Sequence, residues 1–348
     1  MSEHRSVPVA FLLSAFVSLI LVSSASAASA DLDPTFAVGG IAKNALGYGS
    51  DNGAAVAVQP DGKTVVVGSS QASDLTDEQF VFSRYLENGA LDPTFGIGGQ
   101  AFVGFSSDEV AALDIAIQPD GKILAVGYRA SGSDYDMAVT RINSNGTLDG
   151  GFRGGGKFSI DASDAVDDDG KAIALAPDGT FYVVGAGQID TDLDFMIFKF
   201  EADGDDDLSF SGNGNLFTHF GVGNDGASAA AVQPDGKLVV AGYADAGSER
   251  DVAVARYSAT GAPDATFAGG WTTIPVGALD DIAGDVAVAP DGKIVLAVSS
   301  ESPPGNAFAA VRLTSAGAPD PTFDSDGKAS FKVGTADGPR RMVLRRDG

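Results

Sequence analysis

Acidic residues recur at one position of a repeating sequence pattern, nine residues before a turn proline or its equivalent. The aspartates at this position are Asp51, Asp168, Asp225, Asp281 and Asp337. In the second unit the nearest aspartate is Asp108, two residues before the position. Carboxylate oxygens are the ligands that hard cations such as calcium prefer, so a ring of these side chains would form a cation site. The alternative is structural, because an aspartate also accepts hydrogen bonds from its own turn.

Other candidate functional groups are few. His219 is the single histidine beyond residue 30, so a Ser-His-Asp triad would depend on it, and we interpret it as an exposed strand residue. Asp203, Asp205 and Asp207 have the spacing that opens a calcium loop, but Leu208 stands where such loops need glycine. We expect a solvated acidic turn there.

A basic residue also recurs, eleven residues before a phenylalanine in every unit. The members are Arg84, Arg141, Lys199, Arg256 and Arg312. A charge that repeats in every unit most simply neutralises a neighbouring aspartate of the constant turns. We predict that these side chains belong to the scaffold.

The composition narrows the classes of partner. The net charge is −25, and the sequence pI is about 4.1. Nucleic-acid binding needs clustered lysine and arginine, so it is not expected, whereas cations, basic proteins and neutral glycans remain open. The chain contains no cysteine, so its stability must come from its core rather than from disulfides.

The first thirty residues have the layout of a secretory signal peptide. His4 and Arg5 precede an apolar run from Val9 to Val22, and small residues follow it. The run is too short for a comfortable membrane span, which favours cleavage over anchoring. We predict a signal peptide over residues 1–30 and a secreted or cell-surface location for residues 31–348, with no membrane span after cleavage.

Two independent markers define a repeat of roughly sixty residues. Gln59 to Lys63 reads Gln-Pro-Asp-Gly-Lys and returns at 118–122 and 233–237, with looser copies at 176–180 and 289–293. The second marker ends in a phenylalanine that recurs at intervals of 56 to 59 residues, at Phe36, Phe95, Phe152, Phe210, Phe267 and Phe323. Markers that share one period indicate repeated structural units.

Each unit predicts four strands, and four strands without helical periodicity indicate an all-β propeller blade. The interval from the basic residue to the phenylalanine is constant, and so is the first turn. Length varies in the other two connections, which in an antiparallel blade lie at the opposite edge. Variable loops on a fixed scaffold often carry binding sites. Their acids are Asp74, Asp77, Asp134, Asp190, Asp192, Asp245 and Glu249.

The repeat predicts about six blades with the last one incomplete. The chain opens with a fourth strand at Gly40 to Leu46 and stops after a sixth first strand at Met342 to Arg345. Strands two and three of that blade are missing from the sequence, so we expect a C-terminally truncated propeller. A sheet edge left in this way would expose unpaired backbone groups.

The linked motifs resemble the bacterial delta-60 repeat family. They comprise the Pro-Asp-Gly-Lys turn, a strand that ends in Gly68, and Leu91 to Phe95 followed by Gly98-Gly99. The likeness covers nearly everything after residue 31, although Val298 replaces the strand-ending glycine in unit five. The resemblance implies a bacterial, extracytoplasmic β-propeller and brings no catalytic residue with it.

We therefore favour a binding or interaction scaffold with an acidic variable-loop face over an enzyme. It would bind cations, with calcium as the cofactor candidate, or a protein or glycan partner, and act as a monomer. Paired carboxylates at a propeller mouth can hydrolyse glycosides, so a glycan-acting hydrolase remains the alternative. A purely structural surface module is the third hypothesis.

Overall fold

The computed structural model describes residues 32–44, 46, 50–71, 77–106, 109–162, 167–189, 191–221, 223–302, 305–332, 339 and 341–344. Within these residues the chain forms five four-stranded antiparallel sheets. In every sheet the strand order follows the chain, so each whole repeat builds one propeller-like blade. The predicted signal peptide, Asp108 and Asp337 lie outside the described residues.

We number the sheets 1 to 5 along the chain. Sheets 1 and 2 contain β1 (Asp51–Val58), β2 (Thr64–Gln71), β3 (Glu78–Tyr85), β4 (Gln100–Gly104), β5 (Val110–Ile117), β6 (Ile123–Ser131), β7 (Asp134–Ile142) and β8 (Lys157–Ile160). Sheets 3 and 4 contain β9 (Asp169–Leu175), β10 (Phe181–Ile189), β11 (Asp192–Phe200), β12 (Asn215–Thr218), β13 (Asp225–Val232), β14 (Leu238–Asp245), β15 (Arg250–Tyr257) and β16 (Trp271–Ile274). Sheet 5 contains β17 (Asp281–Val288), β18 (Ile294–Ser302), β19 (Gly305–Leu313) and β20 (Lys328–Phe331).

The expectation of about six blades is not confirmed, because the described residues form five four-stranded sheets. Around the predicted fourth strand at Gly40 to Leu46, they form an isolated bridge between Val38 and Ile41 and no strand. The five described sheets do not close into a six-bladed ring.

The first turn of each unit is a tight hairpin built from the Pro-Asp-Gly sequence. In sheet 1, Gly62 has a φ of 83°, and its N–H donates to the Gln59 carbonyl at 2.9 Å. Asp61 Oδ1 accepts a hydrogen bond from the Lys63 N–H at 3.2 Å. Glycine reaches this left-handed φ without a steric penalty, which explains why it recurs at this place.

The strand-ending glycine leaves room for a bulge in the innermost strand. The β1–β2 register shifts between Gly53 and Ala55, and a Cβ on Gly68 would lie 1.8 Å from the Asn52 carbonyl oxygen. No side chain fits at such a distance without moving the backbone. The bulge bends the innermost strand where the sheets converge.

Four buried apolar clusters join the five sheets in sequence. Each cluster combines side chains from two successive sheets, as Phe95 of sheet 1 packs in one cluster with Ile115 of sheet 2. The central strands β2, β6, β10, β14 and β18 are rich in valine, isoleucine and leucine, so they suit a position that is covered on both faces. The core therefore lies between the blades.

The turns between strands one and two and between strands three and four meet at what we call the constant-turn edge. In sheet 1, Asp92 accepts hydrogen bonds from Arg84 Nε at 3.0 Å and Thr94 Oγ1 at 2.7 Å, and pairs with Lys63 at 3.3 Å. Burial opposes ionisation of Asp92, but the Thr94 hydrogen bonds and the Arg84 charge lower its pKa to about 2. Equivalent ion pairs are formed by Asp149, Asp207, Asp264 and Asp320. The scaffold prediction for the repeated basic residues is confirmed.

These basic residues also connect neighbouring sheets. In sheets 1 to 4 the side chain donates to a backbone carbonyl of the next sheet, and the acceptors are Ser144, Ala202, Ala259 and Ser315. The Arg256 contact, for example, measures 2.7 Å. Charge-assisted hydrogen bonds of this kind fix the angle between blades as well as adding stability.

Candidate functional site

The opposite edge, which we call the variable-loop edge, carries an excess of acidic side chains. It consists of the connections between strands two and three and the connections from one sheet to the next. Its described acids, including those at the adjoining strand ends, are Asp51, Asp77, Glu78, Glu109, Asp134, Asp161, Asp167, Asp168, Asp192, Asp245, Glu249, Asp280, Asp281 and Glu301, with Asp225 at the start of β13. Arg250 pairs with Asp245 at 3.5 Å, which neutralises one of them.

The described members of the predicted aspartate ring each close the loop that leads into an innermost strand. Asp225 Oδ2 accepts the Phe220 N–H at 2.7 Å, and Asp281 Oδ2 accepts the Val276 N–H at 2.6 Å. Asp168 and Asp51 accept the N–H groups of Ala162 at 2.7 Å and Leu46 at 2.9 Å. The repeated aspartate therefore has a structural role at every described position.

A second set of loop residues links neighbouring sheets at this edge. The residue before the repeated aspartate accepts a backbone N–H from the third strand of the preceding sheet. Asp167 accepts from Tyr135 at 3.1 Å, and Asp280 accepts from Arg250 at 3.0 Å. These bonds position the loops against the scaffold, so the exposed acids between them occupy defined places.

One group of side chains has the composition and spacing of a metal site. Among the described residues, Asp194, His219 and Asp225 place one potential ligand atom each within 4.8 Å of one another. His219 Nδ1 lies 2.8 Å from Asp194 Oδ1 and 3.7 Å from Asp225 Oδ2. The two carboxylates are buried, and the imidazole is 48% exposed. The site is therefore open on the histidine side.

Burial changes the proton affinity of one carboxylate in this group. Burial raises the pKa of Asp225, and the nearby Asp194 carboxylate adds to the effect. The Phe220 N–H and the His219 ring act in the opposite direction. A bound cation would relieve the repulsion between the two carboxylates, which is the electrostatic requirement for a metal centre.

The equivalent positions at the other joints show why the Asp194–His219–Asp225 group occurs between sheets 3 and 4. In sheet 2 the residue equivalent to Asp194 is Asp136, which pairs with Arg129 Nη2 at 3.0 Å. In sheet 4 it is Asp251, whose pKa is raised by burial and by Asp281, and proline stands at the position equivalent to His219. Among the described residues, only the joint between sheets 3 and 4 combines both carboxylates with a histidine.

Sequence reasoning included Asp225 but missed its two partners. His219 was interpreted as an exposed strand residue, whereas it follows β12 and contacts both acids. Asp194, five positions before Lys199, was not among the predicted site residues. The sequence did contain a signal for this group, since Asp194 lies near the start of a third strand and His219 precedes the loop into the next sheet. The four-stranded topology brings those two positions together.

The innermost strands enclose a cavity of about 300 Å³ on the propeller axis. One equivalent residue of each sheet lines it, namely Ala54, Leu113, Lys171, Ser228 and Gly284, together with Pro339 and Arg341. Arg341 crosses this space and pairs with buried Asp114 at 2.5 Å. Burial raises the pKa of Asp114 against the opposing effect of that guanidinium. The described C-terminal residues thus occupy part of the channel.

The described residues contain no helix long and apolar enough to cross a bilayer.

Four segments match a family model described as "Domain of unknown function (DUF5122) beta-propeller", over residues 59–95, 118–152, 233–267 and 289–323. These segments begin at the Pro-Asp-Gly turn and end at the repeated phenylalanine. A comparison with curated proteins gives no match.

Solved structures with a similar arrangement share little sequence with this chain. Sqt1 from Chaetomium thermophilum is 17% identical, with a TM-score of 0.41, and the match covers 83% of this chain and 63% of that one. The GH93 alpha-L-arabinofuranosidase of Fusarium graminearum is 12% identical, with a TM-score of 0.38 and coverages of 75% and 74%. Four segments of this chain are thus similar to a β-propeller repeat family, in agreement with the five repeated four-stranded sheets.

Proposed function

We propose that this chain is an extracytoplasmic β-propeller binding scaffold whose variable-loop edge binds cationic ligands. One observation carries the proposal. The repeated aspartates of the constant-turn edge, Asp92, Asp149, Asp207, Asp264 and Asp320, pair with lysine or arginine. Among the described residues, no lysine or arginine forms an ion pair with Asp77, Asp134, Asp161, Asp192 or Glu249 of the variable-loop edge. Such an edge attracts positive charge over several ångströms and favours a metal ion or a basic protein surface.

The Asp194–His219–Asp225 group supports a cation site of defined chemistry. An imidazole nitrogen with two carboxylate oxygens suits zinc or manganese better than calcium, which prefers oxygen ligands alone. Asp194 and Asp225 come from different sheets, so a bound ion would tie β11 to the loop before β13. Of the six aspartates predicted to form a ring, the proposed cation site contains only Asp225.

Metal titration tests this site. We expect zinc or manganese to bind once per chain in calorimetry and to raise the melting temperature, because an ion that binds only the folded state stabilises it. His219→Ala should abolish both responses without unfolding the protein, since the side chain is half exposed.

Asp281→Asn provides a matched control, because Asp281 closes the equivalent loop of another sheet without a histidine. It should lose stability and keep metal binding, whereas Asp225→Asn should lose both. Unchanged metal binding in His219→Ala would contradict the assignment of this group.

The extracytoplasmic location is part of the same proposal and rests on the N-terminal sequence. Expression of the complete reading frame in a bacterial host should give a protein outside the cytoplasm whose first residue lies near position 31. N-terminal sequencing checks this, and a cytoplasmic product that retains residues 1–30 would contradict it.

A further inference from the structure

Two partly exposed tyrosines form a ring pair at the variable-loop edge of sheet 2. Tyr128 lies near the end of β6, and Tyr135 lies near the start of β7. Their ring centroids are 4.7 Å apart, and the ring planes are inclined by 60°. Part of each side chain therefore faces water at the edge that carries the acidic side chains.

Carboxylates from three successive sheets surround this ring pair. The Tyr135 hydroxyl donates to Glu109 Oε2 at 2.9 Å, and this hydrogen bond raises the pKa of Tyr135 to about 12. Burial raises the pKa of Tyr128, and the negative charges of three carboxylates add to the effect. They belong to Glu109, Asp169 and Glu78. The two rings therefore lie in a negative electrostatic field, which favours a positively charged ligand.

One of these carboxylates retains an unsatisfied oxygen. Asp169 Oδ2 pairs with Lys171, whereas Asp169 Oδ1 is buried and accepts no hydrogen bond from a described residue. A buried carboxylate oxygen without a donor costs free energy. A positively charged ligand close to Asp169 would lower that cost.

Sheet 4 shows how a cation uses the equivalent tyrosine ring. Tyr243 and Arg250 occupy the positions that Tyr128 and Tyr135 have in the repeat of sheet 2. The Arg250 guanidinium lies over the Tyr243 ring, 4.5 Å from its centroid, and pairs with Asp245 at 3.5 Å. The fold thus places a cation over this tyrosine where the sequence supplies one.

In sheet 2 the sequence supplies a second ring instead of the cation. No described lysine or arginine lies over the ring of Tyr128 or Tyr135. Arg129, which is adjacent in sequence, pairs with Asp136 at 3.0 Å and donates to the Ser131 hydroxyl at 3.2 Å. The other three sheets have no tyrosine at the position of Tyr128, since they carry Ser69, Ala186 and Ser299 there.

We propose that the Tyr128–Tyr135 pair binds an alkylammonium group, as presented by a quaternary ammonium compound or by a lysine side chain. The cation lies against the tyrosine rings, whose faces are negative, and Glu109 and Asp169 supply the balancing charge. The inference rests on the proposed function, since both require the negative charge of the variable-loop edge. It adds a site separate from the proposed metal site.

Choline and its neutral carbon analogue, in which a tert-butyl group replaces the trimethylammonium group, test the inference because they differ in charge and share a shape. The chain has seven tyrosines, so isotope labelling of tyrosine gives a small set of ring signals in NMR. We expect choline to shift the Tyr128 and Tyr135 signals with half-saturation on the order of 1 mM at low salt. The analogue should bind at least about tenfold more weakly. The buried rings of Tyr182 and Tyr257 should not respond.

The repeat itself provides the test variants. Tyr135→Arg copies the sheet 4 arrangement into sheet 2, so it should place an internal cation over Tyr128 and weaken choline binding at least about tenfold. Arg250→Ala is the reverse change, and it should make the Tyr243 ring respond to choline. Glu109→Gln keeps both rings and removes one charge, so it should weaken binding about threefold. Unchanged signals from the buried tyrosines show that each variant remains folded.

No shift of the Tyr128 and Tyr135 signals at about 100 mM choline would overturn the inference. Equal binding of the neutral analogue would also overturn it, since the contact would then be apolar, and so would wild-type choline binding in Tyr135→Arg. Zinc titration of the same samples reports the proposed metal site alone, so failure of one site can be told from failure of the other.

A comparison of choline with Nα-acetyl-lysine N-methylamide separates the two sources of the ammonium group. Tighter binding of the lysine derivative would support the inference with a protein side chain as the ligand. Tighter binding of choline would support it with a quaternary ammonium compound as the ligand.

Discussion

The two edges of the blades use the same residue type for opposite purposes. At the constant-turn edge, hydrogen bonds from threonine lower the pKa values of Asp92, Asp264 and Asp320, and the lysine and arginine partners of these aspartates add to the effect. At the variable-loop edge, burial and neighbouring acids raise the pKa values of Asp225 and Asp251. The difference teaches that one edge is a structural joint held by ion pairs, whereas the other carries the acidic side chains on which the proposed cation binding rests.

The largest change in the free energy of unfolding should come from removing an ion pair of the constant-turn edge. Asp92→Ala leaves the buried Arg84 guanidinium without its carboxylate, so we expect a loss of about 3 kcal/mol in the free energy of unfolding. Urea denaturation measures it. The matched variant Asp134→Ala, at the opposite edge, should change stability by less than about 0.5 kcal/mol. Equal losses in the two variants would remove the distinction between the edges.

Acid should affect the pairing at the constant-turn edge in a defined direction. Because the pKa of Asp92 is lowered to about 2, its contribution is fully present above its ordinary value near 4 and disappears as the pH falls towards 2. The stability difference between wild type and Asp92→Asn should therefore shrink over that interval. A difference that stays constant down to pH 2 would show that the carboxylate charge contributes nothing.

The contribution of Asp225 to the pH dependence of stability should have the opposite sign and be smaller. Its raised pKa means that the folded protein binds its proton more tightly, so wild-type stability falls as the pH rises through the range above 4. The stability deficit of Asp225→Asn relative to wild type should therefore shrink as the pH rises over that interval when no metal is added. A relative loss with rising pH would indicate that the Asp225 carboxylate is already neutralised in the free protein.

Much of the scaffold could be predicted from sequence, because it repeats. The Pro-Asp-Gly turn, the strand-ending glycine and the basic partner of Asp92 each recur at fixed spacing, and repetition separates a structural requirement from chance. The candidate site could not be predicted in this way. His219 occurs once, and its contacts with Asp194 and Asp225 depend on two loops of different sheets.

The contact of Arg341 with Asp114 could not be predicted from the repeat. Asp114 has an equivalent only at Asp285 among the five units, so no periodic signal marks it. Arg341 reaches it across the axis, which is a contact that linear spacing does not encode.

The most direct test of the binding edge is a comparison of two variants with the same net charge. One replaces Asp134, Asp161, Asp192 and Glu249 of the variable-loop edge by their amides. The other replaces Asp61, Asp120, Asp235 and Asp291, exposed acids of the constant-turn edge, by asparagine. Binding of a decalysine peptide is then measured by calorimetry at low salt. We expect the first variant to bind at least about tenfold more weakly than wild type and the second to bind nearly as well. Equal weakening of the two would show that net charge alone governs binding, and would contradict a binding site at the variable-loop edge.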